Sequence, residues 1–198
     1  MSENWDEIAK NWDREEQVRF YADQAFVSLI KHVNVCDKKW KSRRILDFGC
    51  GTGLLTEKLA PLVREVVAVD TSKNMIDVLR RKEIGNVTAI CVEMIDNATH
   101  TSSPWFSDFD LIVASSVCGF LPDYERTIVV LSRALRANGY FVQWDWLSSG
   151  NDEFGFTTDR ISNAFSRADL ECIHVAPAFV VTFDDEEMRV LMGVASSA

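Results

Sequence analysis

The residues best suited to chemistry lie in Ile45-Leu46-Asp47-Phe48-Gly49-Cys50-Gly51-Thr52-Gly53-Leu54. Glycines at alternate positions after an apolar run permit positive φ and let a ligand approach the backbone closely. The spacing is GxGxG, and Leu54 stands where a dinucleotide fingerprint has Gly or Ala. Asp47 precedes the first glycine by two positions, where a carboxylate repels a pyrophosphate and suits a positive group. A second acid, Asp70, ends the next apolar run 21 residues beyond Gly49, placed to accept both hydroxyls of a ribose. The ligand these residues describe carries a ribose and a cationic part, and no pyrophosphate.

Such a loop must sit between a strand and a helix, and the flanking patterns supply both. Short apolar runs predict strands at Arg44–Phe48, Glu65–Asp70, Val87–Val92, Phe109–Ala114, Tyr140–Asp145, Leu170–Val175 and Met188–Ala195. Helical spacing predicts helices over Gln17–Val33, Leu54–Val63, Ser72–Lys82, Asp123–Asn138 and Thr157–Ala168, with Ser72 and Asp123 as N-caps. Alternating strands and helices imply a doubly wound α/β sheet, Rossmann-like, with helices on both faces. The link between the sixth and seventh strands lacks a helical pattern, and a parallel crossover needs one. The last strand is therefore expected to run antiparallel, and Asp184–Glu187 to form a solvated turn.

S-adenosylmethionine meets the ligand description, with adenine, ribose, sulfonium and ammonium. ILDFGCGTG followed by VVAVDTS resembles the first two cofactor motifs of the class I S-adenosylmethionine-dependent methyltransferases, specifically the type 11 small-molecule group. The similarity continues through NVTAICVEMID, FDLIVASSV and LSRALRANGYFV. It implies that Asp47, Gly49, Cys50, Gly51 and Gly53 hold the methionine part, and that Asp70 and Thr71 meet the ribose. By the same resemblance Met75 packs on adenine, Glu93 and Met94 meet its polar edge, and Ser115 offers a carbonyl to the ammonium. It further implies one domain: an N-terminal helical lid (1–40) that brings Tyr21 near the cofactor, a cofactor-binding core (41–146), and a C-terminal helix and strand pair (147–198).

The acceptor is expected to be a small molecule. The chain has 198 residues and a net charge of −9, which disfavours backbone binding to nucleic acid. Ala114-Ser115-Ser116-Val117-Cys118 lacks the Asp/Asn-Pro-Pro-aromatic motif of enzymes that methylate bases or amides. Trp5, Trp12, Trp144 and Trp146 suggest an aromatic-walled pocket or, alternatively, plain packing. Asp145, Asp123 and Tyr124 are base candidates, none singled out by its pattern. His32, His100 and His174 lie apart without metal-ligand spacing, so no metal is expected. Five cysteines without a CxxC pair, and no apolar run of ~18 residues, point to a cytoplasmic protein without a membrane span. The competing readings are a nicotinamide-type oxidoreductase, a non-catalytic S-adenosylmethionine-binding regulator and a protein methyltransferase. Nothing in the pattern sets an oligomeric state.

Overall fold

The structure, a computed structural model, describes residues 4–92, 105–148, 155–183 and 185–198. Strands β1 (Arg44–Phe48), β2 (Glu65–Asp70), β3 (Val87–Cys91), β4 (Phe109–Ser115), β5 (Leu135–Trp146), β6 (Glu171–Phe183) and β7 (Glu186–Ser196) form one sheet. Its order is β3-β2-β1-β4-β5-β7-β6. β3, β2, β1, β4 and β5 are mutually parallel, and β7 runs antiparallel to both β5 and β6. The antiparallel hairpin expected at the C-terminus is present, with Phe183 opposite Glu186 and Asp185 at φ 71 in its turn.

The α-helices among the described residues are α1 (Trp5–Ile8), α2 (Glu16–His32), α3 (Leu54–Leu59), α4 (Lys73–Arg81), α5 (Tyr124–Ser132) and α6 (Thr158–Arg167). Ser72 caps α4 by accepting the Met75 N–H at 3.1 Å, and Asp123 caps α5 by accepting the Arg126 N–H at 3.0 Å. Strand alternation sends Ile45, Val66, Val113 and Trp144 to a core with Leu29, Leu55 and Leu59 of α2 and α3. Leu46, Val67, Ile112 and Phe141 face the opposite core with Ile128, Leu131, Ile161 and Phe165 of α5 and α6. Sheet order reverses between β1 and its neighbour β4, and a crevice opens there at the carboxyl ends of the strands.

Several boundaries differ from the expected ones, among them the start of β7, which takes in Glu186 and Glu187 of the expected turn because they pair with Phe183 and Thr182. The helix begun at Asp123 stops at Ser132, not Asn138, because the Ala134 carbonyl accepts the Phe109 N–H and starts β5 early. Asn138 at φ 60 then lets that strand loop out before Tyr140 joins the ladder. The helix at Leu54 tightens into a 3₁₀ turn at Ala60–Leu62, where Pro61 has no N–H to donate. β6 runs past Val175 to Phe183 because Pro177 lies on the sheet's outer strand at a register shift, where a missing donor breaks no ladder. No helix among the described residues is long and apolar enough to cross a membrane.

Candidate functional site

A cavity of about 770 Å³ lies over the carboxyl ends of β1, β2 and β4, under α1 and the start of α2. Its size falls within the ~300–1,000 Å³ of small-molecule sites. Asp47, Gly49, Cys50, Gly51, Asp70, Thr71, Met75 and Ser115 line it; Gly53 does not. Glu93, Met94 and His100 lie outside the described residues.

The three glycines have different jobs. A Cβ on Gly49 would run into the Val117 side chain and one on Gly53 into the tip of Leu79, and both residues sit at positive φ (+68 and +86), so backbone conformation and packing together favour glycine there. Gly51, at φ +53, faces open space, with Trp12 Nε1 nearest at 3.9 Å. The loop is fixed from below. The Gly49 and Cys50 N–H groups donate to the Val69 carbonyl at 2.8 and 3.0 Å. The two Asp70 carboxylate oxygens accept the Gly51 and Ser72 N–H groups, each at 2.8 Å.

Asp47 is buried and accepts a hydrogen bond from the Thr56 hydroxyl of α3. Burial pushes its carboxyl up to about 7, against the Thr56 bond, with the Asp70 charge adding to the rise. Burial also raises the Asp70 carboxyl, opposed by the N–H groups of Ser72 and Gly51. The Cys50 thiol is pushed well up by burial and then by both carboxylates. Asp47 and Asp70 face the cavity with no paired cation among the described residues, and a positively charged ligand compensates such a pair.

The N-terminal segment is pinned across the crevice. The Asp6 carboxylate accepts from the Ser72 hydroxyl at 2.6 Å and the Asn74 N–H at 3.0 Å, at the start of α4. These bonds hold its carboxyl below the ordinary carboxylate range, and the helix terminus favours the negative charge. Asp13 accepts from the Thr52 hydroxyl and pairs with Lys82 at 2.8 Å. Trp5 meets Trp12 and Phe120 edge-on, with ring centroids 5.7 and 5.1 Å apart. Tyr21 meets Trp146 at 5.3 Å, and Trp146 meets Phe183 at 5.8 Å. Asp6, Asp13, Phe120 and Phe183 carried no sequence signal, since each gains its meaning from a partner distant in the chain.

Trp144 belongs to the core, fully buried with its indole N–H donating to the Ser28 hydroxyl at 2.8 Å. The three base candidates are absent from the cavity lining. Asp123 is a helix cap. The Tyr124 hydroxyl donates to Gln143 Oε1 at 2.7 Å, and Gln143 Nε2 donates to Asp145 at 3.1 Å. The buried Asp145 also accepts the Gly119 N–H at 3.3 Å, and burial pushes its carboxyl up to about 7. His32 and His174, distant in sequence, stack at 4.2 Å away from the cavity.

Comparisons with known proteins agree with this geometry. The methyltransferase-domain family model matches residues 46–143. The chain is 29% identical over 156 residues to an uncharacterised methyltransferase of Schizosaccharomyces pombe, covering 66% of this chain and 55% of that protein. It is 32% identical over 160 residues to a ubiquinone biosynthesis O-methyltransferase of Mesorhizobium japonicum, covering 69% of this chain and 63% of the relative. The chain thus spans between about half and two thirds of these relatives' lengths. A methyltransferase of Haloferax volcanii, solved in complex with the Trm112 methyltransferase activator, superposes with a TM-score of 0.77 at 14% identity. That match covers 100% of this chain and 99% of the other, and shows a shared fold. With its glycine loop, its paired acids and its sheet order 3-2-1-4-5-7-6, the chain belongs to the class I S-adenosylmethionine-dependent methyltransferases.

Proposed function

We propose that this protein transfers a methyl group from S-adenosylmethionine to a small-molecule acceptor within the cavity. The observation that carries the reading is Gly51, open to a cavity of about 770 Å³ and flanked by Asp47 and Asp70. Asp70, its oxygens steadied by the Gly51 and Ser72 N–H groups, retains lone pairs for the ribose diol. Asp47 supplies negative charge for the ammonium, together with the Ser115 carbonyl. Gly49, Cys50, Gly51 and Gly53 shape the bed for the methionine part, Thr71 borders the ribose and Met75 offers an apolar face to adenine. Glu93 and Met94 remain assigned to the adenine edge by resemblance alone.

S-adenosylmethionine, when bound, supplies an electrophilic methyl on a sulfonium. The chain's own contribution is to align the acceptor with that methyl and to exclude water. Residues 1–40 act as the lid, held shut by Asp6 and Asp13, over the 41–146 core and beside the 147–198 strand pair. The aromatic rings above the loop give the acceptor an apolar bed of small-molecule size. The net charge of −9 argues in the same direction, and five free cysteines suit a reducing cytoplasm.

Thermal unfolding with S-adenosylmethionine, S-adenosylhomocysteine or NAD tests the reading. A ligand at ~100 times its Kd adds about 2.7 kcal/mol, and the two adenosyl sulfur compounds alone should raise the Tm. A rise with NAD alone, or with none, would sink it.

Binding should also depend on pH. The Asp47 carboxyl, at about 7 in the free protein, is half protonated at neutrality. An ammonium beside it favours the ionised form, so binding releases a proton and tightens as pH rises. From pH 6 to 8 the affinity for S-adenosylhomocysteine should increase roughly tenfold. Calorimetry on Asp47→Asn checks the assignment, because that variant should lose the slope.

A further inference from the structure

The acceptor side of the cavity has walls of one electrostatic kind. Among the described residues no lysine, arginine or histidine lines the cavity; of its carboxyls, Asp47 and Asp70 lie on the side assigned to the cofactor, which leaves Glu15 for the acceptor. Four cations of the neighbouring elements are engaged elsewhere. Lys82 pairs with Asp13 and Glu57, Lys58 pairs with Asp23, and Arg19 donates to the carbonyls of Asp13 and Arg14. Arg160 lies over the rings of Tyr124 and Phe156. Residues 1–3, 93–104, 149–154 and 184, outside the described set, include no lysine or arginine and one histidine, His100. Trp5, Trp12, Tyr21, Phe120, Trp146 and Phe183 bring aromatic rings to the lining, beside aliphatic residues such as Val18, Leu55 and Leu121.

Ring faces and carboxylates both attract cations and repel anions. A carboxylate, phenolate or thiolate nucleophile would enter this cavity against that field, with no cation among the described lining residues to hold it. The charge bookkeeping of the reaction matters here. Transfer from a sulfonium to an oxyanion annihilates two charges, whereas transfer to a neutral nitrogen moves one positive charge from sulfur to nitrogen. Walls that favour cations throughout suit the second course. A further observation points to a polar group on the ligand. The Tyr21 hydroxyl is buried and makes no hydrogen bond of normal geometry among the described residues, although the Ser116 side chain acts on it as a hydrogen-bond partner and opposes the rise that burial imposes on its pKa. A buried hydroxyl left without a well-formed bond is costly, and a nitrogen beside it provides one.

We infer that the acceptor is a small apolar amine methylated on nitrogen, received by the exposed Glu15 carboxylate and oriented by the Tyr21 hydroxyl. The inference rests on the methyltransferase reading of the cavity. The ammonium first yields a proton to water at the Glu15 side. The nitrogen lone pair then forms the N–CH3 bond as the S–CH3 bond breaks, and that bond's electron pair stays on sulfur. The new ammonium returns to solvent, with or without losing a further proton.

Three probes on one skeleton test the class: phenethylamine, 2-phenylethanol and 3-phenylpropanoate. Each is titrated by calorimetry into the protein preloaded with S-adenosylhomocysteine. The amine should bind at least tenfold more tightly than the carboxylate, with the alcohol between. Glu15→Gln should lower amine affinity severalfold and leave the alcohol unchanged. Glu15→Lys should abolish or invert the preference while keeping its affinity for S-adenosylhomocysteine. Equal binding of amine and carboxylate, a carboxylate preference, or no binding of any probe overturns the amine assignment alone. Failure of S-adenosylhomocysteine itself to bind overturns the methyltransferase reading, and the acceptor class with it.

Discussion

Gly51→Val should reduce S-adenosylhomocysteine affinity by more than 100-fold, about 3 kcal/mol or more. The residue sits at φ +53 with its Cβ position facing the cavity and 3.9 Å from Trp12 Nε1. The branched methyls would project into the space assigned to the methionine part or against the lid indole. The backbone adds to the effect, because a β-branched residue in the left-handed region costs roughly 1–2 kcal/mol. Some loss of Tm is therefore expected alongside the loss of binding. Gly51→Ala separates the two contributions. Its single methyl has ordinary contact distance to Trp12, so it should share the backbone cost and lose much less affinity. If Gly51→Val bound at wild-type strength, the loop would not face the cofactor.

Asp70→Ala should weaken the same ligand by ~1.5–3 kcal/mol, the scale of a charged hydrogen-bond partner. The carboxylate has two duties in the structure. It accepts the Gly51 and Ser72 N–H groups at 2.8 Å each, fixing the loop and the approach to α4, and it faces the cavity. A loss of affinity could thus come from a loosened loop and not from the ribose. A double-mutant cycle with a 2′,3′-dideoxy analogue of S-adenosylhomocysteine resolves this. The analogue should lose affinity for the wild type, and Asp70→Ala should then cost little more. Full additivity of the two losses would remove Asp70 from the ribose and leave it as a loop anchor.

Much of the fold was legible because its signals are local. Apolar runs of five to seven residues marked β1, β2 and β4 at the bounds the structure shows, or within one residue of them. Ser72 and Asp123 announced their helices because an N-cap acts on an N–H only three positions away. The antiparallel end of the sheet followed from a missing helix. Boundaries were lost where a distant partner decided them. The Phe109 N–H, a donor from outside 123–138, takes the Ala134 carbonyl and ends α5 early. The sheet's outer position, not Pro177 itself, allows β6 to continue.

The site divides in the same way. By itself, the sequence determined the parts built within one strand–loop–helix unit: the glycine spacing, Asp47 before it, and Asp70 at the end of the following strand. Chain connectivity places those residues within reach of each other whatever the rest does. Tertiary structure alone decided that side chains crowd the Cβ positions of Gly49 and Gly53 while that of Gly51 stays open, for their neighbours Val117, Leu79 and Trp12 come from three separate parts of the chain. It also divided the two tryptophans of β5, burying Trp144 against Ser28 and leaving Trp146 at the cavity beside Tyr21. It drew Asp145 beneath the site into bonds with Gln143 and Gly119. It carried Asp6 across the crevice to Ser72, 66 residues away, so that the N-terminal tryptophans roof the loop. Periodicity reports which side of an element a residue takes; which element waits on that side is a property of the sheet order and the packed layers.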